Sequence, residues 1–122
     1  MRYTRKGGRY APKEAKQRKE YIQGYVIEAM NEAGITNPIT GPVGMELILF
    51  FKAPKTHKHG YENWMPKRPD GDNCAKLAQD ALNKLLIEDD AQIVRLVVEK
   101  RYAYPGQERT HITIEEAGQC AI

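Results

Sequence analysis

Three observations in the 122-residue chain predict an α+β fold, a small mixed or antiparallel sheet with two helices packed on it. Two stretches repeat apolar residues at three- and four-residue spacing, as helices with one buried stripe do. Three others alternate along the chain or concentrate β-branched and aromatic residues, as strands do. Their order, α-β-α-β-β, is not the regular alternation of a parallel α/β sheet.

The elements follow in order. Residues 1–11 hold Gly7, Gly8 and many cations without periodicity, and read as a flexible basic arm. Pro12 suits the first position of a helix, whose fixed φ it already has. From there to Ala33, Tyr21, Ile22, Tyr25, Val26, Ala29 and Met30 line one face, and Gly34 is a natural stop. After the loop "ITNPITGP", the segment "VGMELILFFKA" (43–53) reads as a strand. Met45, Leu47, Leu49 and Phe51 fall on one face, Ile48 and Phe50 on the other, which predicts a strand covered on both sides.

Residues 54–69 form a polar, basic loop punctuated by prolines, and loops of that length are commonly functional. A second helix is expected from Asp72 to Leu86, with Leu77, Ala78, Ala81, Leu82, Leu85 and Leu86 inward. "AQIVRLVVEKRYAY" (91–104) reads as a long strand. "PGQE" turns the chain, and "RTHITIEE" (109–116) is expected to return as its antiparallel partner. The length allows one domain over 1–122.

Composition excludes little and charge distribution suggests more. Apolar residues make up 41% and charged residues 29%, ordinary for a globular protein. No apolar run reaches the roughly 20 residues that span a bilayer, and the basic start lacks the apolar core of a secretion signal. A cytoplasmic protein without membrane association is expected. Cys74 and Cys120 show no metal-binding spacing and read as reduced thiols. The net charge of +3 is unevenly spread. Cations dominate residues 1–20 and 52–68, whereas Asp70, Asp72, Asp80, Glu88, Asp89 and Asp90 dominate the stretch between 70 and 90. Basic surface suits a polyanion, and concentrated carboxylates suit a divalent ion.

The acidic stretch begins "KRPDGDNCAKLAQDALN" (67–83). Asp72 is expected at or near the helix N-cap, with Asp70 projecting to the same side two residues earlier. Lys76 and Asp80 continue the row of Asp72 at four-residue intervals. A capping aspartate with solvated neighbours would explain the pattern, and so would a metal site. Two carboxylates about 4 Å apart repel by about 4 kcal/mol at an effective dielectric near 20, a cost that a divalent cation removes. Such an ion can activate water against a phosphodiester, with a lysine neutralising the developing charge. An EF-hand is excluded, because Ala75 and Ala81 stand where that loop needs glycine and glutamate. Asp89 and Asp90 follow the helix, and spacing alone does not bring them back to Asp70.

The string "KRPDGDNCAKLAQDALNKLLIEDDAQIVRLVVEK" closely resembles the signature of the RusA family of Holliday junction resolvases. There a D-x-D-N-x-x-K-x-x-x-D-A-L-N-like run is followed by D-D-x-Q-[IV] and a strand ending in lysine. The resemblance covers most of the chain. It implies a homodimeric, Mg²⁺-dependent endodeoxyribonuclease that nicks four-way DNA junctions, with Mn²⁺ as a substitute ion, in a phage or prophage setting. Asp70, Asp72 and Asp90 match the metal-binding acids, Lys76 the essential lysine, and Asp80 a recurrent position read as structural. The resemblance also implies that the acids assemble into one site. Family members usually open with a strand and a "PPSxNxxY"-like segment; here Met1 falls about where that segment ends, so the first strand is expected to be missing.

DNA contacts are expected from Arg2, Arg5, Lys6 and Arg9, interleaved with Tyr3 and Tyr10, and from Lys55, Lys58, Lys67 and Arg68 in the basic loop. His57, His59 and His111 are too few for a zinc site at that spacing. Trp64 and Tyr61 could stack on bases exposed at a branch point, and Trp64 could equally belong to the core. Two rival functions carry the same motif: a branched-DNA-binding dimer that has lost catalysis, and a nuclease for flaps or other branched DNA.

Overall fold

In the computed structural model, residues 2–3, 12–55 and 62–118 are described, with side chains from residue 16 onward in those segments. The strand expected over 43–53 forms β2 (Val43–Lys52) and lies inside the sheet, paired on both edges. The other elements are β1 (Arg2–Tyr3), α1 (Pro12–Ala33), α2 (Gly71–Leu82), a 3₁₀ turn (Asp90–Gln92), β3 (Ile93–Ala103) and β4 (Arg109–Glu116). The sheet runs β1-β4-β2-β3. β2 and β3 are parallel, and α2 supplies the crossover that a parallel pair requires. This is the expected α+β fold, in the order α-β-α-β-β, preceded by the short β1.

Both helices cover one face of the sheet. Val43, Met45, Leu47 and Leu49 of β2 are buried there with Ile22, Val26 and Met30 of α1, and with Cys74, Ala78, Ala81 and Leu82 of α2. Burying one such large apolar side chain contributes roughly 1.5–3 kcal/mol. The small residues Ala78 and Ala81 leave room for α2 to approach the layer beneath it.

Five expectations need correction. β4 is not the neighbour of β3: it pairs antiparallel with β2, which lies between them. The five residues 104–108 are enough to step across one strand, and the apolar β2 gains burial from the interior position. Within the stretch expected to be a flexible basic arm, Arg2 and Tyr3 form a short strand, Arg2 pairing with His111 and Tyr3 with Thr110 across the edge of β4. α2 ends at Leu82, not Leu86, because Asn83 leaves the helix in extended conformation and Lys84 then turns left-handed at φ 67°. The Leu82 carbonyl then accepts from the backbone N–H groups of Leu85, Leu86 and Ile87. Leu86 and Ile87 are still buried, so the apolar pattern persists without the helix. Ala91 and Gln92 belong to the 3₁₀ turn, and β3 starts at Ile93. Finally, no helix among the described residues covers the second face of β2. Phe50 is half-buried there beneath the Arg109 guanidinium, 3.8 Å from the ring centre, and beside His111.

The end of the basic loop is annealed to the sheet. Glu62 N–H donates to the Tyr102 carbonyl (2.6 Å), Tyr102 N–H to Asn63 (2.8 Å) and Met65 N–H to Lys100 (3.0 Å). Residues 62–65 therefore cover the outer edge of β3 at its C-terminal half, and Met65 is buried. The N-terminal half of β3 leaves Val94 and Leu96 exposed.

Candidate nuclease site

α2 begins against β3: a Cβ at Gly71 would lie 3.8 Å from the Val98 side chain. The N-cap is Asp70, in extended conformation, and not Asp72, which occupies the first turn. Asp70 makes no side-chain cap hydrogen bond. Both carboxylates are exposed at the positive end of the helix dipole, where negative charge is favoured. Lys76 and Asp80 are exposed on the same side as Asp72 at intervals of about one turn, opposite the buried Cys74, Ala78 and Leu82. Asp80 forms no ion pair among the described residues.

The approach to Asp70 is held by a residue that the sequence left without a role. Lys100 pairs with Leu49 in the sheet register and so points to the helix-covered face. Its ammonium donates to the carbonyls of Lys67 (2.6 Å) and Pro69 (2.8 Å). These carbonyls flank Arg68, whose bond to Pro69 is cis. Lys100 thereby fixes the last residues before Asp70 and places a cation behind the acidic pair.

Asp90 sits at the other end. Asp89 caps the 3₁₀ turn by accepting from Ala91 N–H (3.2 Å). The Gln92 side chain closes the capping box, its oxygen accepting from the N–H groups of Glu88 (2.8 Å) and Asp89 (2.9 Å). Its nitrogen donates to the carbonyls of Ile39 (2.7 Å) and Gly41 (2.8 Å), tying the turn to the loop before β2. Asp90 is left exposed with no such structural duty. A hydrogen bond shared with Asp89 raises its carboxyl above the ordinary range, with desolvation and the negative charges of Asp89 and Asp80 acting in the same direction. Asp89 is held below that range by the Ala91 N–H first, then by the bond to Asp90 and the charge of Lys84.

Asp90 opens the 3₁₀ turn, which follows the end of α2 after seven intervening residues and packs against that helix. Asp70 and Asp80 are ten residues apart, about 15 Å along the axis. The structure thus brings Asp70 and Asp72 together and leaves Asp90 at the opposite end of the helix within one chain. No group of three or more His, Cys, Asp or Glu side chains is close enough to hold a metal ion among the described residues.

Of the expected DNA contacts, Lys55, Lys67 and Arg68 are exposed. Arg2 lies on β1, whereas Arg5, Lys6, Arg9 and Lys58 fall outside the described residues, as do His57, His59, Tyr61 and Cys120. Cys74 is a buried free thiol. His111 accepts from the Arg109 guanidinium (3.1 Å) and packs on Phe50. Trp64 is 59% exposed, so it is not a core residue.

A family model for the endodeoxyribonuclease RusA matches residues 1–115, nearly the whole chain. The chain belongs to the RusA family. It is also 32% identical over 106 residues to the uncharacterized protein YqaN of Bacillus subtilis (strain 168), a match covering 80% of this chain and 73% of that protein. Membership makes this a nuclease fold whose family acts on DNA, and no helix among the described residues is long and apolar enough to cross a membrane. The RusA motif runs through Asp70, Asp72, Lys76 and Asp90, and also through Gln92 and Lys100. The last two carry no signal of their own as polar residues of a turn and a strand; their roles come from carbonyls more than 30 residues away in sequence.

Proposed function

We propose that this chain is a divalent-metal-dependent endodeoxyribonuclease that resolves four-way DNA junctions by paired phosphodiester hydrolysis, acting as a homodimer. The observation that carries the reading is the start of α2. An aspartate at the N-cap leaves its capping bond unmade, next to a second exposed aspartate, in a chain of an endodeoxyribonuclease family. Capping alone would explain one aspartate that makes the bond.

Asp70 and Asp72 offer hard oxygen donors of the kind Mg²⁺ and Mn²⁺ prefer, and such ions complete their shells with water and phosphate oxygens. Two carboxylates make a partial set that Asp90 would complete. When bound, the ion supplies an activated water and stabilises the leaving oxygen of the phosphodiester. Lys76, one turn beyond Asp72, is available to neutralise charge growing on the phosphate. Lys67, Arg68 and Lys55 would grip the DNA backbone and set its register.

The separation of Asp90 from Asp70 within one chain supports a site made by two. The exposed Val94 and Leu96 on the outer strand, beside Asp90 in sequence, support a second copy docking near that end of the sheet. A two-fold arrangement would give two equivalent sites, one for each nick across a symmetric junction.

Purified protein with a labelled four-way junction, a flap and a linear duplex, each with and without Mg²⁺, tests the reading. Symmetric junction nicking that needs Mg²⁺ and is lost in Asp72→Asn is expected. Tight junction binding with no cleavage in any divalent ion would favour a binding protein that has lost catalysis, and preferential flap cutting would favour the other rival.

A further inference from the structure

The face of the sheet opposite the two helices carries an unusual pair. Trp64, the only tryptophan in the chain, is 59% exposed, yet it is not on a loose segment. Its neighbours Glu62, Asn63 and Met65 are hydrogen-bonded to the backbone of residues 100–102, and its own N–H donates to the Asn63 side chain at 2.8 Å. The indole lies against the Arg101 guanidinium, 4.6 Å from carbon to ring centre. Arg101 is itself fixed by Glu99, through contacts of 2.8 and 2.9 Å, and by the Glu62 carbonyl at 3.0 Å. A large apolar ring is thus held in place at the surface, where it gains little from burial.

We propose that Trp64, backed by Arg101, is a stacking platform for a base face left unstacked in the DNA substrate, at a branch point or in a single strand. This rests on the reading of the chain as a nuclease for branched DNA and names what that substrate presents. A fixed indole loses little freedom on binding, and its face takes any base. Lys67 and Arg68 follow in the same segment, exposed and without ion pairs among the described residues. A second copy laid two-fold on this patch would oppose like charges, whereas a polyanion is attracted by them. A continuous duplex hides its base faces; a branch point or a single strand exposes them. The placement links the platform to the acidic end of α2. Arg101 supports Trp64 on one face of β3, and its neighbour Lys100 holds the approach to Asp70 on the other. One strand would couple the unstacked base to the cleaving end of α2.

The single tryptophan makes the test direct. Indole emission is followed in EDTA while a four-way junction, a single strand and a relaxed, covalently closed circular duplex are titrated in. Binding is measured separately by anisotropy of labelled DNA. Quenching by junction and single strand, but not by the closed duplex, is expected. Trp64→Ala should bind the junction about tenfold more weakly with an unchanged melting temperature, and Trp64→Phe should stay within about twofold of the wild type. The proposal is overturned by junction binding without quenching, by equal quenching with closed duplex, by unweakened Trp64→Ala, or by no junction binding at all. Emission that changes with protein concentration before DNA is added points to a second copy on the patch and overturns it too. Cleavage with Mg²⁺ is assayed apart: quenching without cleavage removes the nuclease reading and leaves the platform standing.

Discussion

Two short helical segments of this molecule begin at an aspartate, and they use it differently. Asp89 accepts from Ala91 N–H at the head of the 3₁₀ turn, and Gln92 completes the capping box. Asp70 stands at the N-cap of the much longer α2 and makes no side-chain cap bond. The shorter element, with less intrinsic stability, has the full set of local bonds. The longer one is stabilised by its buried face, including Leu82 and Ala81, and can leave its cap unmade. Structural acids and available ones thus differ: Asp89 holds the turn, while Asp70 and Asp72 cap nothing and Asp90 shares a bond with Asp89 without capping the turn. Each end is fixed by a side chain from elsewhere, Lys100 at one and Gln92 at the other.

The largest effect should come from the free acids. Asp70→Asn and Asp90→Asn are each expected to lower junction cleavage by about three orders of magnitude or more while junction binding in EDTA is retained. Mixed after co-refolding, the two inactive variants should recover activity at about one site in four, because one site of each mixed dimer keeps both acids. No recovery would mean that the two ends of α2 do not meet across a dimer.

Gln92 is expected to matter next, and to stability before chemistry. Gln92→Ala removes both acceptor and donor bonds and leaves the Ile39 and Gly41 carbonyls without that partner, a loss of about 3 kcal/mol. Urea unfolding measures it. A loss under 1 kcal/mol would show that the turn stands on Asp89 alone. Lys100→Met keeps the aliphatic stem and loses two bonds from an ammonium; about 2 kcal/mol is expected, with the larger change in Mn²⁺ affinity measured by titration. Lys100→Arg, which can still donate to both carbonyls, should restore part of each.

Local sequence carried much of this arrangement. The periodicity of α1 gave its bounds from Pro12 to Ala33, and the alternation in β2 gave its buried face. What could not be seen was set by distant partners. That β2 separates β3 from β4 depends on which strand gains most by burial, and a short connection after Tyr104 suits either arrangement. The stop of α2 depends on the extended Asn83 and the left-handed Lys84, and lysine carries no signal for that conformation. At the site, the motif picked out Asp70, Asp72, Lys76 and Asp90, but their distribution over two ends of a helix emerged only from the shortened α2 and the 3₁₀ turn packed against it.

The smallest effect separates the two members of the Asp89–Asp90 pair. In the metal-free protein the fold lowers the Asp89 pKa, through the Ala91 N–H first, and raises that of Asp90, through the bond to Asp89 first. A lowered acid contributes stability above its unfolded value, near pH 4, and the contribution is lost as pH falls through its folded value. A raised acid does the reverse: its contribution is present below about pH 4 and is lost as pH rises through its folded value, so at pH 7 the ionised Asp90 faces two like charges without return. Asp90→Asn should therefore leave the melting temperature at pH 7 unchanged or slightly higher, while Asp89→Asn lowers it by weakening the cap. In Asp89→Asn, the Asp90 carboxyl should also titrate closer to its ordinary range, as followed by carboxyl NMR without divalent ions. A lower melting temperature in Asp90→Asn than in Asp89→Asn would reverse the assignment of the structural acid and the free one. The family's third carboxylate would then have to be sought at Asp89.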